Sequence, residues 1–216
     1  MNHKSAIFVG LLIALAAALA IAAQLLNHPW LTYIFKPLAT VLILALALAN
    51  AAKTKLPFAR WISLGIFLSL FGDILLLRPD KWFLPGLAVF LLSHIAYFAA
   101  FTRDVKFPAN ATIWLAFLAI AAANFFALRP HLPRGLEPPV AINAFALATM
   151  TAQAIGRALL LRTITAKLAA AGAVFFLLSD SLLAWDRFRH PLPFAPLLIL
   201  APYYLAQCLI ASSTSE

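Results

Sequence analysis

Apolar and polar positions in this chain come in blocks. Runs of about 20 predominantly apolar residues follow one another, and Pro, Asn and charged residues gather in the short breaks between them. A helix of that length crosses a bilayer, and breaks of that composition are turns. The period-two alternation of a membrane barrel is absent. Eight spans follow: Ser5–Leu26, Trp30–Asn50, Phe58–Arg78, Trp82–Thr102, Asn110–Leu128, Pro139–Leu161, Thr165–Trp185 and Phe194–Ser212. The expected fold class is all-α, a polytopic membrane helix bundle of about eight transmembrane helices. The loops leave no room for a soluble domain, so residues 1–216 are read as one transmembrane domain.

Composition agrees. The chain is 64% hydrophobic and 11% charged, with a mean hydropathy of +0.96. Soluble domains carry about 25% charged residues, and one soluble core could not hide this much apolar surface. The net charge of +9 raises the question of nucleic acid. The basic residues sit singly or in pairs beside apolar runs, where they anchor helix ends to headgroups. The expected partner is therefore the membrane, not nucleic acid. Cys208 lies in an apolar run and is the one cysteine, which excludes an internal disulfide and a cysteine metal cluster. Ala20-Ile21-Ala22 resembles a signal cleavage site, but the run from Ser5 to Leu26 is longer than a usual signal core and reads as a retained first helix.

Lys and Arg counts set an orientation. Lys4, Lys53, Lys55, Arg60, Arg103, Lys106, Arg157, Arg162 and Lys167 fall on the side of the N-terminus. Arg78, Lys81, Arg129, Arg134, Arg187 and Arg189 fall on the other. Nine against six favours both termini in the cytoplasm. Lys36, Asp73 and Asp180 then share the outer half of the bilayer, on the second, third and seventh spans, where they could line one cavity. A parallel 4+4 internal repeat is also expected. Asp73 and Asp180 are 107 residues apart; adding 24 to each reaches Tyr97 and Tyr204, and subtracting 37 reaches Lys36 and Asn143.

The two aspartates carry the candidate chemistry. Each sits in an apolar run that reads small residue, Asp, any residue, Leu, Leu: Gly72-Asp73-Ile74-Leu75-Leu76 and Ser179-Asp180-Ser181-Leu182-Leu183. An Asp in lipid costs about 3 kcal/mol on insertion scales and is usually kept for function. Each lies near a span end, so the plain alternative is a side chain reaching the headgroups. The functional alternative is a buried carboxyl pair in which one acid keeps its proton and the other is ionised, as acid–base hydrolysis needs. Lys36, with Pro37 behind it, is a snorkelling residue, a counter-ion for an aspartate, or a phosphate ligand. His94 and Tyr97 share a helix face, with Ser93 adjacent. Tyr203, Tyr204 and Gln207 fall within one turn, and Asn143, Gln153 and Asn124 are weaker candidates. His3, His28, His131 and His190 look like loop residues, too scattered for a metal site. A Gly-x-Ser-x-Gly elbow, a His-Glu-x-x-His helix and a phosphate-cradling glycine loop are all missing.

Taken in order, Lys36-Pro37-Leu38, Gly72-Asp73-Ile74-Leu75-Leu76, Ser93-His94-Ile95-Ala96-Tyr97, the stretch from Phe176 to Ala184 containing Ser179-Asp180-Ser181, and Tyr203-Tyr204-Leu205-Ala206-Gln207 resemble the YhhN family of multi-pass membrane proteins. Each motif is weak alone; their order and spacing across the second to eighth spans are specific. Animal members of the family are lysoplasmalogenases. The resemblance implies hydrolysis of the vinyl ether bond of a lysophospholipid substrate in the bilayer, giving a fatty aldehyde and glycerophosphoethanolamine or glycerophosphocholine, with no metal or organic cofactor. It maps the catalytic candidates onto Asp73 and Asp180.

The chemistry suits two carboxyls. Protonation of the alkene carbon gives an oxocarbenium ion, which water attacks; glycosidases meet the same cation with two carboxylates. Ser179 and Ser181 flank Asp180 and could stabilise its ionised form, which favours Asp73 as the acid. Lys36 could bind the phosphate, and His94, Tyr97, Tyr204 and Gln207 could position the glycerol or the water. A lipid or ion transporter with a polar cavity and no hydrolysis has the same sequence features and stays open as the alternative. The Ala/Leu-rich, short-looped composition points to a bacterial inner membrane.

Overall fold

The computed structural model describes residues 3–54 and 56–215, with the backbone alone for residues 3–6. Of the basic residues used for orientation, Lys55 and the side chain of Lys4 lie outside the described residues. Among the described residues are eight helices long and apolar enough to cross a membrane. They are α1 (His3–Leu25), α2 (Pro29–Thr54), α3 (Pro57–Leu75), α4 (Pro79–Phe101), α5 (Ala111–Leu128), α6 (Glu137–Leu161), α7 (Ile164–Phe188) and α8 (Ala195–Ser212). Their ends fall close to the expected spans. The protein is an integral membrane helix bundle. The histidine expectations need one correction: His3 opens α1 instead of lying in a loop, while His131 ends a single 3-10 turn, Arg129–His131.

Local chemistry fixes the ends. Pro57 and Pro79 start α3 and α4, where a missing N–H costs nothing. Asn110 caps α5 by accepting from the Ile113 amide at 3.0 Å, and Thr163 caps α7 by accepting from the Ala166 amide at 3.2 Å. Pro37 and Pro202 sit inside α2 and α8. A proline there frees a backbone carbonyl one turn earlier and lets the helix bend. Both lie close to the polar residues of the interior.

The distribution of side chains is the reverse of a soluble domain. Leu11, Trp30, Ile164 and Phe194 point outward, while Ala20, Ala39, Ala47, Ala100, Ala148 and Ala173 are buried. Lipid leaves no hydrophobic drive between helices, so small residues that allow close backbone approach take the interior. Gly72 is one such point. A Cβ there would lie 2.6 Å from the Phe90 ring, so only glycine lets α3 close on α4 next to Asp73. Sequential helices pack as neighbours within α1–α4 and within α5–α8, and α4 on α6 and α2 on α8 join the two sets.

At the end where α4 and α6 finish, Arg157 donates from Nε to Oδ1 of Asp104 at 2.8 Å and from Nη2 to Oδ2 at 2.6 Å. Gln153 donates to the Phe101 and Val105 carbonyls and accepts from the Ala109 amide. These contacts hold the α4–α5 connection against α6. Gln153 is therefore a structural clamp, away from the aspartates.

Candidate active site

The aspartates sit towards the opposite end, where α2, α4, α6 and α8 begin. Lys36 is seven residues into α2 and Tyr203 eight residues into α8, so both are about 10–12 Å from that end at 1.5 Å per residue. Asp73 is two residues before the end of α3, and Asp180 eight before the end of α7. All four residues line one cavity of about 580 Å³. Its rim carries polar groups from the helix ends, among them Asn27, His28, Asp186 and Arg187. Phe90, Leu76 and Leu200 give it an apolar wall.

Asp73 is buried and held from two other helices, α2 and α8. Lys36 Nζ lies 3.8 Å from Oδ1. Thr40 Oγ1 donates to Oδ2 at 2.7 Å, and Tyr203 OH donates to the same atom at 2.6 Å. Thr40 is one turn after Lys36 on the same face of α2, so one helix supplies both the cation and a hydroxyl. The donor chain extends further. Gln207 Nε2 donates to Tyr203 OH at 3.4 Å, and Tyr97 OH donates to Gln207 Oε1 at 2.6 Å. Every link runs towards Asp73, which ends the chain as an acceptor. Charge-assisted bonds of this kind are strong, and the surroundings suit a carboxylate. Tyr204 OH reaches the Lys36 carbonyl at 3.3 Å and ties α8 to α2. Of the three alternatives for Lys36, the counter-ion geometry is the one present.

Asp180 is placed differently. Among the described residues no hydroxyl donates to it within hydrogen-bond distance. Its nearest ionisable neighbour is His94, whose Nε2 lies 3.7 Å from Oδ2. Asn143 of α6 stands beside both His94 and Asp180. His94 is fully buried, and both of its ring nitrogens, like Asn143 Oδ1, have no hydrogen-bond partner among the described residues. The carboxyl of Asp180 itself keeps 18% of its surface accessible from the cavity. Three buried polar atoms without a partner, two of them on the His94 ring, thus stand around Asp180, a site with capacity to bind something else.

The expected support of Asp180 by its flanking serines is not there. Ser179 Oγ donates to the Ile199 carbonyl at 2.9 Å, and Ser181 Oγ accepts from Asn124 Nδ2 at 3.3 Å. The helix turns adjacent residues about 100° apart, so neighbours in sequence point elsewhere. With that support gone, the reason for favouring Asp73 as the acid goes too.

The structure brings Lys36, Asp73, Tyr203, Gln207 and Tyr97 into one hydrogen-bonded set, and Asp180, His94 and Asn143 into a second. Both aspartates and Ser179 line the shared cavity. Thr40 escaped the sequence reading; its place four residues after Lys36 was the available signal. No three His, Cys, Asp or Glu side chains come together as metal ligands among the described residues.

Comparison with known proteins adds the following. The sequence model of the YhhN family matches residues 31–214. Lysoplasmalogenase TMEM86B of Sus scrofa is 34% identical over 152 residues, which is 70% of this chain and 62% of that protein. The Homo sapiens TMEM86B lysoplasmalogenase is 37% identical over 143 residues, covering 66% of this chain and 58% of the human protein. A lysoplasmalogenase of Mycobacterium tuberculosis is 30% identical over 184 residues, 82% of this chain and 67% of that protein. The matched stretch thus spans about three fifths of the mammalian relatives. No solved structure matches.

Proposed function

The chain belongs to the YhhN family, and from that premise we propose that it is a membrane-embedded hydrolase that cleaves the vinyl ether bond of lysoplasmalogens. The supporting observation is the unequal pair of carboxyls on one cavity: Asp73 accepts from two hydroxyls and is paired with Lys36, whereas Asp180 has only the His94 ring and the Asn143 amide beside it. Vinyl ether hydrolysis needs an acid that can reach carbon and a fixed negative charge beside the cation that results. Asp180, without a cation or hydroxyl donor and open to the cavity, is the acid. It gives its proton to the outer alkene carbon, and the ether oxygen shares its electron pair with the inner carbon to form the oxocarbenium ion. Asp73 faces that cation as a carboxylate. Water adds to the inner carbon and loses a proton to a carboxylate. The hemiacetal then collapses to a fatty aldehyde and glycerophosphoethanolamine or glycerophosphocholine. One water is consumed and no redox change occurs.

Lys36 fixes the charge of Asp73, so the phosphate is assigned to the rim, where His28 and Arg187 stand. Tyr203 and Gln207 hold Asp73 in place, and Tyr97 anchors Gln207. A bacterial cell membrane is the proposed location, with both termini cytoplasmic on the nine-to-six basic count. The site then opens outward.

The test is aldehyde release by the purified chain in detergent from a 1-alkenyl-2-lyso-glycerophosphoethanolamine. Wild type releases aldehyde, and Asp180→Asn does not. A wild type that releases none but moves the lipid across vesicle membranes would make the protein a transporter.

A further inference from the structure

Asp180 borders a second cavity as well as the first. This one is about 100 Å³ and lies between α4, α5, α6 and α7. Asp73 is not part of its wall. The two cavities share Leu76, Phe83, Phe90 and Leu183 along with Asp180, so they adjoin across these side chains, and a neck between them would hold a carboxyl. Their linings differ. The first has a polar rim; the second is walled by residues such as Leu87, Ile120, Ala121, Ala144 and Leu147, with Asn124, Asn143 and Ser181 as its other polar groups. Its outer wall includes Ile120, which is 57% exposed on the face of α5 that meets lipid.

We infer that the second cavity takes the alkenyl chain of the substrate, threading it past Asp180 and out between the helices to the bilayer. This rests on the proposed hydrolysis of a lysoplasmalogen and adds the pose of the substrate. A lysolipid is polar at one end and a single chain at the other, and the vinyl ether lies where the two meet. With the headgroup at the rim of the first cavity and the chain in the second, that bond sits at the neck. The order of atoms then matches the order of acids. The outer alkene carbon, on the chain side, comes to Asp180; the inner carbon and the ether oxygen, on the head side, face Asp73. Carbon protonation requires that order. The volume of 100 Å³ holds only the first few carbons, so a long chain must continue past Ile120 into lipid. Apolar surface and lipid then bind the chain in the same way that the bilayer does.

Two variants narrow the second cavity from different helices without touching the carboxyls: Ala121→Phe on α5 and Ala144→Phe on α6. Each is assayed with two 1-alkenyl-2-lyso-glycerophosphoethanolamines, one with a chain of sixteen carbons and one that is a bare two-carbon vinyl ether with no carbon to place in the second cavity. The readout is the ratio of their kcat/KM values on one preparation, which cancels the amount of folded protein. The ratio of long to short should fall by roughly tenfold or more in both variants, the scale of pocket discrimination for small apolar groups. An unchanged ratio in both overturns the inference. A second measurement uses wild type alone. A photoreactive diazirine on the chain, a few carbons beyond the alkene, should label α5 or α6 near Ile120, Ala121 or Leu147. Labelling of the first cavity instead, near Thr32, Pro196 or Ile199, overturns the chain route even if hydrolysis is intact. Wild type that is inactive on every alkenyl lysolipid overturns the hydrolase proposal, while the labelling pattern still reports the route.

Discussion

Asp73 and Asp180 share a motif and a cavity, yet their neighbours prepare them for opposite work. Asp73 meets a cation and a hydroxyl from α2 and a phenol from α8. Asp180 meets an imidazole from α4 at 3.7 Å and an amide from α6, with no hydroxyl and no cation beside it among the described residues. Lys36 and Asn143 stand at the same offset, 37 residues before each aspartate. A charge at one position and an amide at the other is the difference that counts. In a medium where an ion is expensive, the partner decides the state of a carboxyl more than its own sequence does.

The comparison breaks most visibly in activity. Asp180→Asn should lower aldehyde release by about 10² to 10⁴-fold, since an amide cannot donate a proton to carbon. Its thermal unfolding in detergent should barely change, because no cation is left unpaired. Asp73→Asn should also lower turnover, and it should shift the unfolding transition as well, because Lys36 is left buried beside a neutral side chain. Reversed results, with Asp73→Asn as stable as wild type, would put the acid on the other carboxyl.

Stability gives the next largest effect. Lys36→Met removes the cation and leaves Asp73 uncompensated in the interior, at a cost of about 3–5 kcal/mol. Adding Asp73→Asn to Lys36→Met should restore part of that loss, because the double change removes both charges. The matched substitution at the second site, Asn143→Leu, should cost much less, since it removes no cation from beside the carboxyl. Chemical denaturation of these variants, together with Asp180→Asn and the double Asn143→Leu/Asp180→Asn, reads the coupling at both sites directly. Coupling at the Asn143 site as strong as at Lys36 would erase the distinction between the two aspartates.

Much of this was legible in the sequence. Block hydropathy located the eight helices, because lipid forces every backbone group into helical bonds over a fixed length. Lys36, Asp73, His94, Asp180 and Tyr203 stood out because a polar side chain in such a block is costly. Their pairing was not legible. Ser179 and Ser181 are next to Asp180 along the chain and turned away from it in space, bonded to Ile199 and Asn124. Thr40 is 33 residues from Asp73 and bonded to it. Neighbours within a helix are set by its period, but contacts between helices depend on packing by small residues, such as Gly72 against Phe90. One sequence carries no direct record of that. The second cavity was invisible for the same reason, since residues of four helices enclose it.

The smallest effects sharpen the contrast between spatial and sequential neighbours. Tyr203→Phe removes one donor from a buried carboxylate and should cost about 1.5–3 kcal/mol. It should also slow turnover, because Asp73 loses the link to Gln207 and Tyr97 that fixes its position. Ser179→Ala removes a hydroxyl that is bonded to the Ile199 carbonyl. It should cost no more than about 1 kcal/mol and leave the rate close to wild type. The two variants differ by one oxygen each, at residues that line the same cavity. Aldehyde release and unfolding should therefore separate them in the same direction. If Ser179→Ala proved the more damaging to turnover, the serine would have to swing onto Asp180 during the reaction. The division into a braced Asp73 and an unbraced Asp180 would then fail for the working enzyme.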